Sequence, residues 1–425
     1  MKKKDVNDLA IFGGEPAFKR VLHVGRPNIG DRERLFARLG DAIDRAWLSN
    51  GGPYVQEFER RIAELVRVKH CVAVCNATIG LEIAIKAANL GGEVIVPSFT
   101  FIATAHALQW HGITPVFCDL DPITHNIDPN RVEELITPRT TGIIGVHVWG
   151  RPCDVAALDM VARKHNLKLL FDAAHAFGCS HRGQMVGNFG LAEVFSFHAT
   201  KFLNTFEGGA IVTNDDEFGR RVRLMKNFGF TDYDEVSHIG TNGKMSEVSA
   251  AMGLTGLDQL DQLVALNRRN YRQYRDELRD LPGVRIVTYD ESERCNFQYI
   301  VLEIDESVTA ISRDQMAQVF QAENVLARRY FYPGCHRMEP YRSFFPNAGL
   351  LLPETERLAG CVLVLPTGSA IETEDVTAIC EILRTTVGRG EEVSERLRRC
   401  DFGASDPRAP FVMASDAAVA SVPEI

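Results

Sequence analysis

The sequence predicts an α/β protein in which a large domain with a mostly parallel sheet is followed by a smaller α/β domain. Short apolar segments alternate with segments of helical periodicity from Tyr54 to Asn214, a pattern typical of a parallel sheet covered by helices on both faces. A long helical segment from about Ser246 then ends at Leu281-Pro282-Gly283, and further alternating segments follow it. The 425 residues are enough for two or three domains and a cleft between them.

The elements of the large domain follow one another along the chain. Residues 54–67 place apolar side chains at helical spacing. Strands are predicted at HCVAVC, EVIVPS, PVFCDL, GIIGVHV, KLLFDAA, EVFSFH and GGAIVTN, and helices at IGLEIAIKAAN, FIATAHALQWHG and VAALDMVARKHN. Because the last strands lie close together in the sequence, we expect part of the sheet to be antiparallel.

The later segments predict the domain boundaries. Residues 246–281 are long for one globular helix, so we expect one or two helices leading out of the large domain. We predict an N-terminal arm at 1–29, a large domain at 30–265 and a small domain at 266–398. Residues 399–425, rich in Ala, Ser, Asp and Pro, are predicted to be a surface or disordered tail.

Composition and missing motifs exclude several classes of protein. The net charge of -9 disfavours nucleic acid, and no segment reaches the roughly 18 unbroken apolar residues of a membrane helix. We therefore expect neither a nucleic acid nor a membrane as partner. The ten scattered cysteines form no zinc pattern and suit a reducing cytoplasm, so we expect no metal. The dinucleotide, P-loop, zinc-protease and nucleophile-elbow motifs are absent from the sequence.

Two segments carry candidate catalytic groups. In SFHATKFLNTFEGG, an apolar strand ends in a polar cluster containing Lys201. A partly desolvated lysine at a strand end can form a Schiff base, although a solvated loop lysine is the alternative. In LLFDAAHA, Asp172 ends another strand, where a carboxylate can hold a cofactor's pyridine nitrogen protonated. The alternative for Asp172 is a helix N-cap.

Two further segments could bind a cofactor. In CNATIG, a strand leads into a helix whose free N–H groups can bind phosphate, although ordinary capping by Asn76 or Thr78 explains it equally well. In PSFTF, Phe101 follows a strand and could stack on a flat cofactor, the alternative being a core phenylalanine.

Taken together and in this order, the segments resemble the DegT/DnrJ/EryC1/StrS family of sugar aminotransferases, from about Gly51 to about Pro333. The resemblance implies a fold type I pyridoxal-phosphate (PLP) enzyme with a seven-stranded, mostly parallel sheet. It also implies a homodimer with shared active sites, and L-glutamate and a nucleotide-linked keto-sugar as substrates. The lysine segment and FDAAHA are the most specific matches in combination.

The resemblance also assigns roles to individual residues. Lys201 matches the Schiff-base lysine and Asp172 the partner of the pyridinium nitrogen. The expected remaining cofactor contacts are His175 at the ring hydroxyl, Phe101 stacked on the ring, Ser196, Ala77 and Thr78 at the phosphate, and Asn242 reaching the phosphate from the other subunit. Two departures are Ala77-Thr78 in place of Gly-Thr, and Asn242-Gly243-Lys244 in place of Asn-aromatic-Arg, which leaves the role of Lys244 open.

The same comparison indicates the reaction. Family dehydratases typically carry histidine in place of the lysine, so Lys201 favours a transaminase. SFHATK with EGG is similar to enzymes that aminate C4 of the sugar. HVGRPNIG is similar to enzymes acting on dTDP-4-keto-6-deoxy-D-glucose, which would give dTDP-4-amino-4,6-dideoxy-D-glucose. The alternatives are a 3-aminotransferase or a PLP sugar dehydratase of the same family and, from another class, a PLP-binding regulator without turnover.

Overall fold

A computed structural model of the protein describes residues 5–401 as sixteen short or medium strands and fifteen α-helices, with a few 3₁₀ turns. The strands are β1 (Leu22–His23), β2 (His70–Val74), β3 (Glu93–Pro97), β4 (Thr114–Cys118), β5 (Thr140–Val146), β6 (Lys168–Asp172), β7 (Ser180–His181), β8 (Gln184–Met185), β9 (Ala192–Ser196), β10 (Gly209–Thr213), β11 (Phe230–Asp232), β12 (Glu235–Val236), β13 (Val284–Ile286), β14 (Ile300–Ile304), β15 (Val325–Leu326) and β16 (Val362–Leu365).

The helices mostly follow the strands in alternation. They are α1 (Arg32–Asp44), α2 (Pro53–Val66), α3 (Ala77–Ala87), α4 (Ile102–Trp110), α5 (Pro129–Glu134), α6 (Val155–Lys164), α7 (Asp216–Met225), α8 (Glu247–Leu257), α9 (Leu260–Leu278), α10 (Glu306–Thr309), α11 (Arg313–Ala322), α12 (Tyr341–Phe344), α13 (Pro353–Cys361), α14 (Thr373–Gly388) and α15 (Gly390–Asp401). Within the described residues, none of these helices is both long and apolar enough to cross a membrane.

The large domain is built on a seven-stranded sheet with the order β2-β10-β9-β6-β5-β3-β4. Strand β10 runs antiparallel to β2 and β9, and the other neighbouring strands are parallel. The mostly parallel sheet and its antiparallel part are therefore confirmed. Every residue of β3 and β10 is buried, which explains why the strands have continuous apolar sequences. The carboxyl ends of the parallel strands meet at one edge, where ligands bind in such sheets.

The small domain is built on the antiparallel sheet β13-β14-β16, covered by α9, α11 and α14. Val6, Leu9 and Phe18 of the N-terminal arm pack into the core of this domain, and β1 pairs with β15. The segment 246–281 forms two helices, α8 and α9. The domain boundary that we predict after residue 265 lies inside α9, and residues 399–401 of the predicted tail are the end of α15. Residues 402–425 lie outside the described part of the chain.

Candidate active site

Lys201 lies in the loop that joins β9 to β10, and its amine reaches toward the small domain. The loop folds back on itself because the N–H of Thr205 donates to the carbonyl of Phe197 at 2.8 Å. The Nζ atom of Lys201 donates to the hydroxyl of Tyr299 at 3.2 Å, and Tyr299 is buried just before β14. Burial lowers the pKa of Lys201 from 10.5 to about 8, against the opposing charge of Asp172. This is not the environment of a solvated loop lysine.

Asp172 is the last residue of β6 and is buried. Its Oδ2 accepts a hydrogen bond from Thr104 Oγ1 at 2.8 Å, and its Oδ1 accepts one from the N–H of Ala174 at 3.0 Å. The next element is β7, so this aspartate caps no helix. Burial raises the pKa of Asp172, while the two donors and the charge of Lys201 act in the opposite direction. A carboxylate offers about four acceptor positions, so it can still accept a hydrogen bond from a cationic ring nitrogen.

His175 is buried close to both groups. Its Nδ1 accepts the backbone N–H of Trp149 at 3.2 Å, and its ring centroid lies 4.4 Å from that of Tyr299. Burial, and then the charge of Lys201, lower the pKa of His175 well below its usual range. The imidazole is therefore neutral, and because Nδ1 is the acceptor, its proton is on Nε2.

The start of α3 lies next to the end of β9 at the carboxyl edge of the sheet. Asn76 caps α3 by accepting the N–H of Ile79 at 2.9 Å, so Ala77 and Thr78 are the first two helical residues. Ser196 pairs with Gly209 across β9 and β10, and a Cβ on Gly209 would lie 2.8 Å from the backbone nitrogen of Ala77. Only glycine allows β10 to pack this closely against the first turn of α3, whose free N–H groups can bind a phosphate group.

Phe101 and Asn242 stand at the margin of this region. Phe101 is the N-cap residue of α4 and is 61% exposed, in the same turn as Thr104, which donates to Asp172. Asn242 precedes Gly243, whose carbonyl accepts the N–H of Cys75 at 2.8 Å, immediately before the start of α3. The stacking role of Phe101 and the intersubunit role of Asn242 stay predictions. The side chain of Lys244 lies over the ring of Phe228, with Nζ 4.6 Å from the centroid.

The structure thus brings Lys201, Asp172 and His175 together at the carboxyl edge, with Ser196 and the first turn of α3 at the same edge. The helix N-terminus beside Ser196 and the buried carboxylate of Asp172 together fit a phosphorylated pyridine cofactor. Three residues that the sequence reasoning missed take part in the arrangement: Thr104, Trp149 and Tyr299. Two of them had a sequence signal: Thr104 lies one helical turn beyond Phe101, and Trp149 directly follows the predicted strand GIIGVHV. Tyr299 reaches the site through long-range packing.

Comparisons with known proteins agree with this geometry. A family model for the DegT/DnrJ/EryC1/StrS aminotransferase family matches residues 30–384. A dTDP-4-amino-4,6-dideoxy-D-glucose transaminase of Shigella dysenteriae is 38% identical over 368 residues, covering 86% of this chain and 99% of the relative. A GDP-perosamine synthase of Caulobacter vibrioides is 34% identical over 368 residues, covering 85% and 97%. A crystal structure of DesI in the presence of its TDP-sugar product has a TM-score of 0.89 and 53% identity, covering 92% of this chain and 100% of that one.

Proposed function

Because this chain belongs to the DegT/DnrJ/EryC1/StrS aminotransferase family of PLP enzymes, we propose that it transfers the amino group of L-glutamate to C4 of a nucleotide-linked keto-sugar. The substrate that we infer is dTDP-4-keto-6-deoxy-D-glucose, and the product is dTDP-4-amino-4,6-dideoxy-D-glucose. Two observations support this sugar and nucleotide: the name of the Shigella dysenteriae relative, and the TDP-sugar product in the DesI crystal structure.

The observation that carries the proposal is the pair formed by Lys201 and Asp172. The desolvated amine lies in the loop that follows β9, and the buried carboxylate ends the neighbouring strand β6. Each group affects the pKa of the other. A transaminase needs such a lysine to move a proton, whereas the dehydratases of this family typically carry histidine there. A regulator without turnover has no need to keep an amine with a pKa of about 8 beside a buried carboxylate.

Each residue of the site has a chemical task in this reaction. When bound, PLP supplies an electron sink for the negative charge that develops on the carbon that loses a proton. Asp172 holds positive charge at the ring nitrogen, and His175 offers its Nε2–H as a donor. The amine of Lys201, with a pKa of about 8, can both take and return a proton near neutral pH. Ser196 and the first N–H groups of α3 bind phosphate.

We also propose that the protein acts as a homodimer in the cytoplasm. Large apolar side chains are exposed on α1 and just after it, among them Phe36, Ile43 and Trp47, and Tyr233 is 95% exposed on the β11–β12 hairpin. Exposed apolar groups at this density are typical of a protein interface. The nine cysteines whose side chains the structure describes are free thiols, which suits a reducing compartment.

The test is a product analysis with purified protein, PLP and L-glutamate. The panel contains dTDP-4-keto-6-deoxy-D-glucose, its 3-keto isomer and a GDP-linked 4-keto sugar, the last because of the perosamine synthase relative. We expect the dTDP-linked 4-amino sugar, identified by mass spectrometry and NMR, together with 2-oxoglutarate. Lys201→Ala is the negative control, from which we expect no product. A product aminated at C3, or a sugar that loses water without gaining nitrogen, would contradict the proposal.

A further inference from the structure

Trp149 joins His175 of the site to a buried network beyond it. Its side chain is fully buried, and its backbone, at φ 63° and ψ 6°, is in the left-handed region that tryptophan seldom adopts. In this conformation the N–H of Trp149 points to Nδ1 of His175 at 3.2 Å. Gly150 continues the turn at φ 82°, and a Cβ there would lie 2.9 Å from the carbonyl oxygen of His175. The turn is therefore fitted closely to this histidine.

The indole end of Trp149 has its own partner. Its Nε1–H donates to Nδ1 of His125 at 3.1 Å. Since an indole nitrogen can only donate, Nδ1 of His125 is the acceptor, and neutral His125 carries its proton on Nε2. That Nε2 lies 2.9 Å from Oε1 of Glu303, to which it donates. Two hydrogen bonds in series thus fix the indole to a carboxylate.

Glu303 is anchored in the small domain, on β14. Its carboxylate also contacts the guanidinium of Arg285, and Arg357 Nη1 lies 3.4 Å from Oε2. His125 is fully buried and comes from the large domain, in the loop between β4 and α5. A series of hydrogen bonds therefore runs from Glu303 in the small domain to His175 in the large domain, through His125 and Trp149. Arg285 and Arg357 contact the carboxylate of Glu303 at one end of this series.

Ring contacts restrict Trp149 further. The indole stacks on Phe331 with centroids 5.4 Å apart and planes 13° apart, and on His175 at 6.0 Å and 24°. The left-handed backbone of Trp149 costs free energy that these contacts and the two hydrogen bonds must offset. Strain of this kind, held in place by packing next to a reactive group, is a recurrent feature of functional sites.

We propose that His125 and Glu303 are positioning residues that hold Trp149 in its left-handed turn, so that the Trp149 N–H keeps the proton of His175 on Nε2. The inference rests on the cofactor binding in the proposed function, because the Nε2–H of His175 is the donor that this site offers to the ring. Without the Trp149 contact, His175 could take either tautomer or rotate, and the donor would be lost for part of the time.

The test replaces His125 in a background where Trp149 is the only tryptophan. The chain has three tryptophans, and the other two, Trp47 and Trp110, are exposed and are changed to phenylalanine. Because Trp47 lies on the proposed dimer surface, this double variant is the reference for every readout, and its oligomeric state is compared with that of the wild type. His125→Phe removes both hydrogen bonds, whereas His125→Gln can accept from the indole with its amide oxygen and donate to Glu303 with its amide nitrogen. Leu383→Ala, in the core of the small domain, is the control for a general loss of stability.

We expect His125→Phe to increase acrylamide quenching of Trp149 in the cofactor-free protein and to shift the absorbance of bound PLP. Its PLP affinity and kcat should fall roughly tenfold to a hundredfold, the range that loss of a supporting contact causes. His125→Gln should restore all of these readouts to within about threefold. Leu383→Ala should lower the melting temperature and leave quenching and absorbance unchanged.

A folded His125→Phe protein with wild-type quenching, absorbance and PLP affinity would overturn the inference. If His125→Phe does not fold, His125→Asn replaces it as the test variant, because the shorter amide side chain cannot hydrogen-bond to the indole and to Glu303 at the same time. Unchanged PLP affinity in that variant would equally overturn it, and a loss that His125→Gln restores supports it. Should the wild-type protein bind PLP but aminate no sugar, the proposed function fails, while quenching and affinity still test the network.

Discussion

The Nζ atom of Lys201 in the large domain lies 3.2 Å from the hydroxyl of Tyr299, the residue directly before β14 of the small domain. Burial raises the pKa of Tyr299 well above 10, so its phenol keeps its proton. The pKa of Lys201 is lowered by burial to about 8. The hydroxyl can therefore accept from the ammonium and donate to the neutral amine, and it holds Nζ in place in both states.

Replacing Tyr299 by phenylalanine tests this contact. Tyr299→Phe should lower kcat by about tenfold, with a smaller change in the KM of the nucleotide sugar, because the amine loses its fixed position and not its chemistry. Steady-state kinetics with both substrates measure the two effects. Tyr274→Phe, which removes a buried hydroxyl that donates to the carbonyl of Pro366, is the matched control. Equal losses in the two variants would show that the Tyr299 hydroxyl serves stability alone.

The lowered pKa of Lys201 predicts how cofactor capture depends on pH. Only the neutral amine attacks an aldehyde, so the rate of PLP capture by cofactor-free protein should rise with pH through a midpoint near 8. The charge of Asp172 raises the pKa of Lys201. Asp172→Asn should therefore move the midpoint to lower pH, while turnover falls because the ring nitrogen loses its carboxylate partner. Stopped-flow absorbance measures the rate of PLP capture and the rate of turnover. A midpoint of PLP capture above pH 10 in the wild-type protein would contradict the desolvated environment of Lys201.

The start of α2 predicts a loss of stability in Glu247→Ala. The carboxylate of Glu247 accepts the N–H groups of Tyr54 and Val55 at 2.8 and 2.9 Å, and a Cβ on Gly52 would lie 2.6 Å from its Cδ. Removing it leaves two helix N–H groups without their acceptor and should lower the free energy of unfolding by about 2–4 kcal/mol. Urea denaturation measures this. Glu64→Ala, which removes an exposed ion pair with Arg60, should change stability by less than about 1 kcal/mol.

The shared active site that we propose predicts complementation between two inactive variants. Lys201→Ala and Asn242→Ala are each expected to lose most activity as homodimers. If Asn242 acts on the site of the other subunit, a hybrid dimer carries one site with both lesions and one intact site. Mixing and refolding the two variants should then restore about a quarter of wild-type activity, as expected for random pairing in a two-fold dimer. No recovery, with dimers present by light scattering, would place Asn242 in its own subunit's site.

The secondary structure was predictable where apolar runs were continuous. All seven strands of the central sheet coincide with predicted segments, because strands buried on both faces must be apolar throughout. Helix α1 was not predicted, although Leu35, Phe36, Leu39, Ala42 and Ile43 lie at helical spacing; only Leu35 and Ala42 are buried in the structure. Helix α7 was also missed, although its buried residues Phe218, Gly219, Val222 and Met225 recur at helical spacing.

The sequence by itself determined which chemical groups the site would contain. Asp172 ends one predicted strand and Lys201 follows shortly after another, and parallel strands bring their carboxyl ends to one edge, so local pattern sufficed to place both residues at that edge. Only the tertiary structure decided what surrounds them. Tyr299 comes from another domain, and Trp149 meets His125 and Glu303 through packing between domains. Such contacts depend on distances between residues far apart in the chain, and periodicity in a sequence records only which face of an element is buried.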